Sequence, residues 1–500
     1  MNTIYKLVKT FKYFHRYASS ISNPLTDCTI FSLSSGYGKC GVSVIRVSGP
    51  RTKYALQTLV GLRHELKPRY AYLKSIYHPE NKELIDKGLV LWFPGPASFT
   101  GEDSCEFQVH GSLAVIAAIM DALGKVPGLR PATAGEFTKR AFFGGKLDLT
   151  EVEGLADLIH AETEAQRKQA MLQSTGALSR VYDNWRRRLI RCAAHLEAYI
   201  DFAEEENIED DVVMQLNKEL RRIITEIREH LNDQRQGEML RNGVRTAIVG
   251  APNVGKSSFL NMMCQREVAI VTPIAGTTRD IIESTHNFGG YPVIFADTAG
   301  LHKQTQDIVE LEGMSRAKEC LQNADLILLL TDARELLANI ANNNGTLKEY
   351  QSSYLQQLDL DENALADKRI QLITNKIDLL STTELQRLTQ IDVLRISCKE
   401  PNTVELQPFL QHFEGVLREL CGQPSAEHPR ITHTRYRQQL ERCIEHINIF
   451  LDEYAPDIYP DIAISAQKLR NALKCIERIT GHVSSNDILD VVFKDFCIGK

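Results

Sequence analysis

The chain has 500 residues, of which 24% are charged, and a formal net charge of -6 at pH 7. This length exceeds the usual size of one domain, about 100–200 residues, so we expect about three domains. The acidic balance excludes a protein covered in positive potential, so nucleic acid would have to meet a local basic patch. The eleven cysteines show no Cys-x-x-Cys pair and no zinc-site spacing, which argues against a disulfide framework or a structural metal.

The first 26 residues are basic, and no acidic residue precedes Asp27. This composition is typical of a mitochondrial transit peptide, and a merely basic disordered tail is the alternative. We therefore exclude residues 1–26 from the fold and expect the protein to act in the mitochondrial matrix. No apolar run reaches the ~18 residues that would predict a membrane span. The basic residues of this segment are Lys6, Lys9, Lys12 and Arg16.

Short apolar runs with strand character begin at Thr29. The runs Thr29–Leu33 and Val42–Val47 flank a glycine-rich stretch, and two further runs, Gly88–Phe93 and Glu106–Val109, alternate as strands do. These patterns predict a small α+β domain over residues 27–145.

Beyond Gly145 the apolar residues recur with the period of a helix. The same period returns after Pro429, so we predict one discontinuous α-helical domain made of residues 146–240 and 424–500. The helical stripes are Leu189, Ala193, Leu196 and Ile200; Leu216, Leu220, Ile223, Ile227 and Leu231; Tyr436, Leu440, Ile444, Ile447 and Leu451; and Leu469, Leu473 and Ile476.

Between the two helical regions, strand-like runs alternate with helical stretches. This alternation is typical of a mostly parallel sheet covered by helices, and it predicts an inserted α/β domain over residues 241–423. The runs are Val244–Val249, Val293–Ala296, Leu326–Thr331, Ile370–Thr374 and Val393–Ser397.

A phosphate-binding loop follows the first strand of this inserted domain. Gly250–Ser257 reads Gly-Ala-Pro-Asn-Val-Gly-Lys-Ser and opens a predicted helix, which is the context the P-loop pattern requires. Glycines let the backbone N–H groups surround the phosphates, Lys256 neutralises β- and γ-phosphate charge, and the Ser257 hydroxyl binds Mg²⁺. The loop therefore predicts a nucleoside triphosphate site.

Asn375-Lys376-Ile377-Asp378 follows a later strand and selects the base. The Asp378 carboxylate can accept from both N1–H and the exocyclic amine of guanine, whereas adenine presents the wrong edge. An unpaired buried acceptor costs roughly 1–3 kcal/mol, which favours GTP over ATP. Ser397-Cys398-Lys399 is typical of the loop that closes over guanine.

Two further segments supply the metal and the γ-phosphate contacts. Asp297–Gly300 reads Asp-Thr-Ala-Gly, so Asp297 can hold the Mg²⁺ hydration shell and the Gly300 N–H can sense the γ-phosphate. Thr278 is the predicted second hydroxyl on Mg²⁺. The next residue, Leu301, cannot orient a water molecule, so another residue must do so.

Taken together, these motifs resemble those of the tRNA-modification GTPase family, which acts with a flavoprotein on wobble uridines. The resemblance covers residues 27–500, and the ending of the chain is its most specific part. The matching stretches outside the nucleotide site are Ser98–Asp103, Gly135–Phe142, Lys146–Leu149 and Phe496–Lys500.

The resemblance implies that the first domain binds a 5-formyl-tetrahydrofolate-type one-carbon donor and forms a homodimer. Arg46, Glu106, Lys146 and Lys500 match the family's folate contacts. Cations can pair with folate carboxylates and Glu106 can accept from a pterin amine, while surface salt bridging is the alternative for each residue. The loop Gly36–Gly41 departs from the family pattern because it lacks an arginine.

The resemblance also implies that K⁺ activates GTP hydrolysis. Asn253 matches the ligand of this ion, and oxygens of Thr272, Ile274 and Thr277 would complete its shell. A fixed cation there can replace an arginine finger, which is worth roughly 10³–10⁵ in rate. The alternative for Asn253 is that it only shapes the loop.

The resemblance suggests catalytic roles for two residues. Glu310 aligns with the water-orienting glutamate, although the loop is one residue longer here, so Glu312 and an ordinary solvated acid are alternatives. Cys497 is either a nucleophile or proton donor in uridine chemistry or a small buried hydrophobe.

The sequence therefore predicts a multidomain α+β and α/β protein that hydrolyses GTP and acts with an FAD-dependent partner in C5 modification of the wobble uridine of mitochondrial tRNAs. The added group, glycine-derived or taurine-derived, is left open. The alternatives are a mitochondrial ribosome-assembly switch GTPase and a folate enzyme with a structural GTPase insert. The predicted nucleotide-binding residues are Asn253, Val254, Gly255, Lys256, Ser257, Ser258, Thr272, Thr277, Thr278, Asp297, Thr298, Ala299, Gly300, Asn375, Lys376, Asp378, Ser397, Cys398 and Lys399.

Overall fold

The contacts within the computed structural model divide the chain into two compact units. The first combines Met1–Ala156 with Thr480–Lys500, and the second is Asp157–Ile479. The structure describes residues 28–61, 66–202, 211–266, 269–270, 285–295, 320–343, 346–358, 360–362, 365–399, 406–453, 462–483, 486–494, 496 and 499.

A six-stranded sheet forms the core of the first unit, in the order β3-β4-β5-β2-β1-β6. Neighbouring strands are antiparallel except β1 and β6, which run parallel. Helices cover one face, where Phe31, Ile45 and Phe107 are fully buried with the helix residue Leu59. The strands are β1 (Thr29–Leu33), β2 (Cys40–Ser48), β3 (Tyr72–Tyr77), β4 (Leu84–Phe93), β5 (Ser104–Gly111) and β6 (Leu129–Pro131).

The helices of the first unit come from both ends of the chain. Phe493 of the last helix packs in one cluster with Leu149 and Val152, so the C-terminal segment belongs with the first unit by its described contacts. The sequence predicts that residues 424–500 all belong to the helical domain, and this domain boundary stays a prediction. The helices are α1 (Thr52–Val60), α2 (Leu113–Gly124), α3 (Glu136–Phe143), α4 (Leu149–His160, whose last residues lie in the second unit) and, at the C-terminal end, Asn486–Lys494.

A helical core fills one part of the second unit. Most residues of the predicted stripes belong to this core, with Leu189, Leu220, Leu440 and Ile476 fully buried, whereas the side chain of Ile200 lies outside the described residues. Long helices carry these stripes because apolar residues three and four apart lie on one helix face. The helices up to the inserted sheet are α5 (Glu164–Ser174), α6 (Ala177–Phe202), α7 (Asp211–Leu231) and α8 (Gln236–Asn242).

A seven-stranded sheet forms the other core of the second unit, in the order β13-β12-β11-β7-β10-β9-β8. The pairs from β13 to β10 are parallel, and β9 and β8 join antiparallel at the edge. The sheet is therefore mostly parallel, as the sequence predicts. Its strands are β7 (Val244–Val249), β8 (Ala269–Ile270), β9 (Thr285–Phe288), β10 (Tyr291–Phe295), β11 (Leu326–Asp332), β12 (Arg369–Asn375) and β13 (Leu394–Arg395).

One predicted strand is much shorter than expected. The run Val393–Ser397 contributes only β13, Leu394–Arg395, because the chain leaves the sheet there to form the loop that contains Ser397. Among the described helices, none combines the length and apolarity that a membrane crossing requires. The remaining helices are α9 (Lys256–Arg266), α10 (Ala333–Asn343), α11 (Leu347–Gln357), α12 (Thr382–Thr389), α13 (Leu406–Cys421), α14 (Thr434–Glu453), α15 (Ile462–Thr480) and α16, the C-terminal helix named above.

Candidate functional site

The P-loop connects the end of β7 to the start of α9. Two of its residues have positive φ, 63° at Asn253 and 101° at Gly255. A side chain on Gly255 would also overlap the Asn375 amide nitrogen, and one on Gly250 would overlap the Leu330 carbonyl oxygen. The loop therefore needs glycine at both positions, for close approach at Gly250 and additionally for backbone conformation at Gly255.

The Lys256 side chain turns back onto its own loop. Its Nζ donates to the Gly250 carbonyl oxygen at 2.7 Å and to the Ala251 carbonyl oxygen at 2.9 Å. Burial lowers the pKa of Lys256 from its usual value, because desolvation disfavours the charged ammonium. The ammonium is held where the backbone of a P-loop receives phosphate, and Ser257 and Ser258 are exposed in the first turn of α9.

Asn375 links the P-loop to the predicted guanine loop. Its Nδ2 donates to the Val254 carbonyl oxygen at 2.8 Å, and its Oδ1 accepts from the Cys398 N–H at 3.1 Å. The Asn375 residue is 2% exposed, so its amide group depends on these two protein partners rather than on water. Two motifs 121 residues apart in the chain thus share one hydrogen-bonded frame.

The residues after Asn375 are oriented by their own partners. Lys376 has a φ of 65° and pairs through Nζ with the Asp332 carboxylate at 2.9 Å. The Ser397 hydroxyl donates to Asp378 Oδ1 at 2.7 Å and so fixes the carboxylate that is predicted to read guanine. The base motif is therefore held in place by residues of β11 and of the loop after β13.

The Cys398 side chain is a neutral thiol. Burial raises the pKa of Cys398 to about 12, so the thiolate is absent at physiological pH. Its backbone N–H, which bonds to Asn375, is the group that joins this loop to the frame. Lys399, the next residue, is exposed.

Several residues considered for the site lie outside the described residues, so their roles stay predictions. They are Thr272, Ile274, Thr277, Thr278, Asp297, Thr298, Ala299, Gly300, Leu301, Glu310, Glu312, Cys497 and Lys500, as is the predicted transit peptide at residues 1–26.

In the first unit, two predicted folate contacts pair with each other. Arg46 and Glu106 lie directly opposite on β2 and β5, and the Arg46 Nη2 is 2.9 Å from Glu106 Oε1. The Arg46 guanidinium also lies 5.3 Å from the ring centre of Phe99, while the Lys146 side chain passes over Gly101. The Ser98–Asp103 motif thus lies against both cations.

Sequence reasoning missed a buried arginine that joins the family motifs. Arg140 is 2% exposed, and it donates to Glu102 at 3.0 Å, to Glu136 at 3.1 Å and to the Cys28 carbonyl oxygen at 2.9 Å. A buried charge requires such pairing. The only local signal was the position of Arg140 within the Gly135–Phe142 motif.

The terminal motif reaches the end of β1. The Ser34 hydroxyl donates to the Gly499 carbonyl oxygen at 2.8 Å. Gly499 has a φ of 109°, and a side chain there would overlap the Leu33 carbonyl oxygen, so this close approach requires glycine. The ending of the chain is thereby part of the first unit.

Comparison with known proteins covers both units. Residues 29–146 match the model described as GTP-binding protein TrmE N-terminus, and residues 149–497 match the one described as MnmE helical domain. The chain is 48% identical over 482 residues to "5-taurinomethyluridine-[tRNA] synthase subunit GTPB3, mitochondrial" of Danio rerio, covering 95% of this chain and 93% of that protein. The chain belongs to the MnmE (TrmE) family of tRNA modification GTPases.

Other relatives of this MnmE-family chain are similar over nearly their whole length. The Homo sapiens protein of the same name is 42% identical, covering 97% of this chain and 96% of that protein. "tRNA modification GTPase MnmE" of Rickettsia rickettsii is 42% identical, covering 94% of this chain and 100% of that protein. Because the matches include the regions outside the nucleotide motifs, they disfavour the ribosome-assembly alternative, which shares only those motifs.

Proposed function

We propose that this GTPase of the MnmE family acts in C5 modification of the wobble uridine of mitochondrial tRNAs, together with an FAD-dependent partner protein. The nucleotide part of the proposal rests on the Asn375 bridge, which unites the P-loop and the guanine motif in one site. The tRNA part rests on relatives named for tRNA modification that match over nearly the whole chain. The Danio rerio relative is named for 5-taurinomethyluridine, which supports a taurine-derived group on the uridine. Its name, with the basic first 26 residues here, supports a mitochondrial location, and we propose the matrix as the compartment.

The proposed site uses two metal ions. Ser257 and Thr278 would hold Mg²⁺, with Asp297 on its hydration shell, while Asn253 with the oxygens of Thr272, Ile274 and Thr277 would hold K⁺. The positive φ of Asn253 is compatible with both loop shaping and K⁺ ligation. Glu310 would orient the attacking water, and Cys497 would serve the uridine chemistry.

The proposed first domain, residues 27–145, binds a one-carbon folate and forms the homodimer. Arg46, Glu106, Lys146 and Lys500 would contact the folate. Arg46 and Glu106 lie side by side, and the Arg46 guanidinium is 5.3 Å from the ring centre of Phe99, so a hydrogen-bond donor, an acceptor and an aromatic ring are close together. This arrangement is compatible with folate binding and also with the salt-bridge alternative. The helical domain of 146–240 and 424–500 and the GTPase domain of 241–423 complete the proposed division.

A contact within the second unit supports coupling of hydrolysis to conformational change. The β9–β10 hairpin lies in sequence between Thr278 and Asp297, the proposed Mg²⁺-site residues. The carbonyl oxygen of Gly290 at its turn accepts from the Ala165 N–H of α5 at 3.1 Å. A change at either metal loop would therefore reach the helical segment through this hairpin.

The test of the nucleotide assignment exchanges the base-reading carboxylate. Asp378→Asn replaces an acceptor of guanine N–H groups by an amide that can donate to the C2 carbonyl of xanthine. We expect the variant to lose GTP hydrolysis and to gain xanthosine triphosphate hydrolysis, measured as phosphate release in K⁺ and Mg²⁺. An unchanged preference for GTP would contradict the assignment of Asp378.

A salt exchange tests the proposed K⁺ site. We expect the wild-type chain to hydrolyse GTP faster in KCl than in NaCl at equal ionic strength, because the larger ion fits a shell of carbonyl and hydroxyl oxygens. Rates equal in both salts would contradict K⁺ activation while leaving the nucleotide site intact.

A further inference from the structure

Tyr354 of α11 lies beneath the start of the P-loop, outside every motif that marks the family. Its side chain is 1% exposed. Its hydroxyl accepts from the Ala251 N–H at 2.8 Å and donates to the Leu330 carbonyl oxygen at 2.9 Å. One hydroxyl thus ties the loop to the end of β11 and to α11.

The bond to Ala251 has a consequence for Lys256. The Ala251 N–H and the Gly250 C=O belong to the same peptide group, which is planar and trans, so the two bonds point in opposite directions. Tyr354 holds the N–H, and the C=O on the other side accepts from Lys256 Nζ at 2.7 Å. A rotation of this peptide would therefore move the lysine's acceptor.

We propose that Tyr354 is a positioning residue for Lys256, acting through the Gly250–Ala251 peptide, and so for the β- and γ-phosphates of the nucleotide. The inference rests on the proposed GTP site and adds a residue that lies outside the nucleotide motifs in the sequence but contacts the P-loop in the structure. Removal of the hydroxyl leaves a peptide N–H without its acceptor, and the peptide then turns to find another partner.

A neighbouring tyrosine supplies a matched control. Tyr350 lies one turn earlier on α11, its ring stacks on Tyr354 with centres 5.7 Å apart and planes at 11°, and it is 8% exposed. Its hydroxyl bonds instead to the Thr331 hydroxyl of β11. Burial raises the pKa of both phenols, so each is a neutral hydrogen-bonding group.

The experiment compares Tyr354→Phe, Tyr350→Phe and the wild-type chain. Dissociation constants are measured for GTP and GDP by displacement of a fluorescent guanine nucleotide, beside KM, kcat and the thermal midpoint. We expect Tyr354→Phe to weaken the binding of both nucleotides about 5- to 30-fold, as the loss of one partly buried hydrogen bond to the loop allows. Tyr350→Phe should change them less than twofold at a similar loss of thermal stability, and preference for guanine over adenine should persist in both.

Two outcomes overturn the proposal. Nucleotide affinity that is unchanged in Tyr354→Phe would remove the link to Lys256. Equal weakening in both variants would assign the effect to the stability of α11 rather than to the peptide. A wild-type chain that fails to bind GTP would instead refute the proposed function, so the two failures are distinguishable.

Discussion

The Asn375 bridge permits the sharpest prediction about the nucleotide site. Asn375→Ala removes the donor to the Val254 carbonyl, in a buried hydrogen bond, and the acceptor of the Cys398 N–H, in a partly buried one. Each hydrogen bond contributes about 1 kcal/mol net, and each stranded group costs about 1–3 kcal/mol. If about 2 kcal/mol of this total is lost from the free energy of nucleotide binding, the dissociation constants for GTP and GDP rise roughly 30-fold.

The assay is titration calorimetry with GDP in K⁺ and Mg²⁺. Asn375→Asp separates the two bonds, because it keeps the acceptor for Cys398 but places a carboxylate oxygen against the Val254 carbonyl oxygen. We expect it to bind no better than Asn375→Ala. Asn339→Ala is the control, since Asn339 is exposed on α10 and bonds within its own helix. Wild-type affinity in Asn375→Ala would show that the bridge does not contribute to nucleotide binding.

Three further outcomes follow from the structure. Gly255→Ala should fail to bind GTP, because of a φ of 101° and overlap with Asn375, and binding within twofold of wild type would contradict this. Arg46→Ala should abolish binding of a reduced folate measured by calorimetry while GTP hydrolysis persists; unchanged folate affinity would restrict Arg46 to its ion pair. Burial alone would raise the pKa of Glu136, but hydrogen bonds led by Arg130 lower it to about 2. The ionised Glu136 therefore adds up to about 3 kcal/mol to the free energy of unfolding above pH ~4.5, and this contribution is lost as the pH falls from there towards 2. Glu136→Gln should therefore unfold at a lower temperature than wild type at pH 7, and the difference should shrink in acid.

The sequence predicted those features that depend on local periodicity. The strand Thr29–Leu33 and the buried strand β11 could be predicted because consecutive or alternating apolar residues indicate a buried strand. The phosphate loop was readable because its glycines and lysine are contiguous. These features require no knowledge of what lies across the fold.

The remaining features depend on contacts between distant parts of the chain. The pairing of Arg46 with Glu106 follows from strand register, which a sequence pattern does not fix. Tyr354 bonds to Ala251 across 103 residues, and a buried tyrosine in a helix carries no signal of its own. The same reason explains why the short β13 was predicted too long, since its length is set by the loop that Ser397 must form with Asp378.

Our main proposal is that GTP hydrolysis by this chain serves modification of the wobble uridine. It is tested by mass spectrometry of mitochondrial tRNA nucleosides from cells that lack the protein and re-express either the intact chain or Lys256→Ala. We expect loss of a C5-modified wobble uridine that only the intact chain restores. Nucleosides unchanged by loss of the protein, or restored equally by Lys256→Ala, would contradict it.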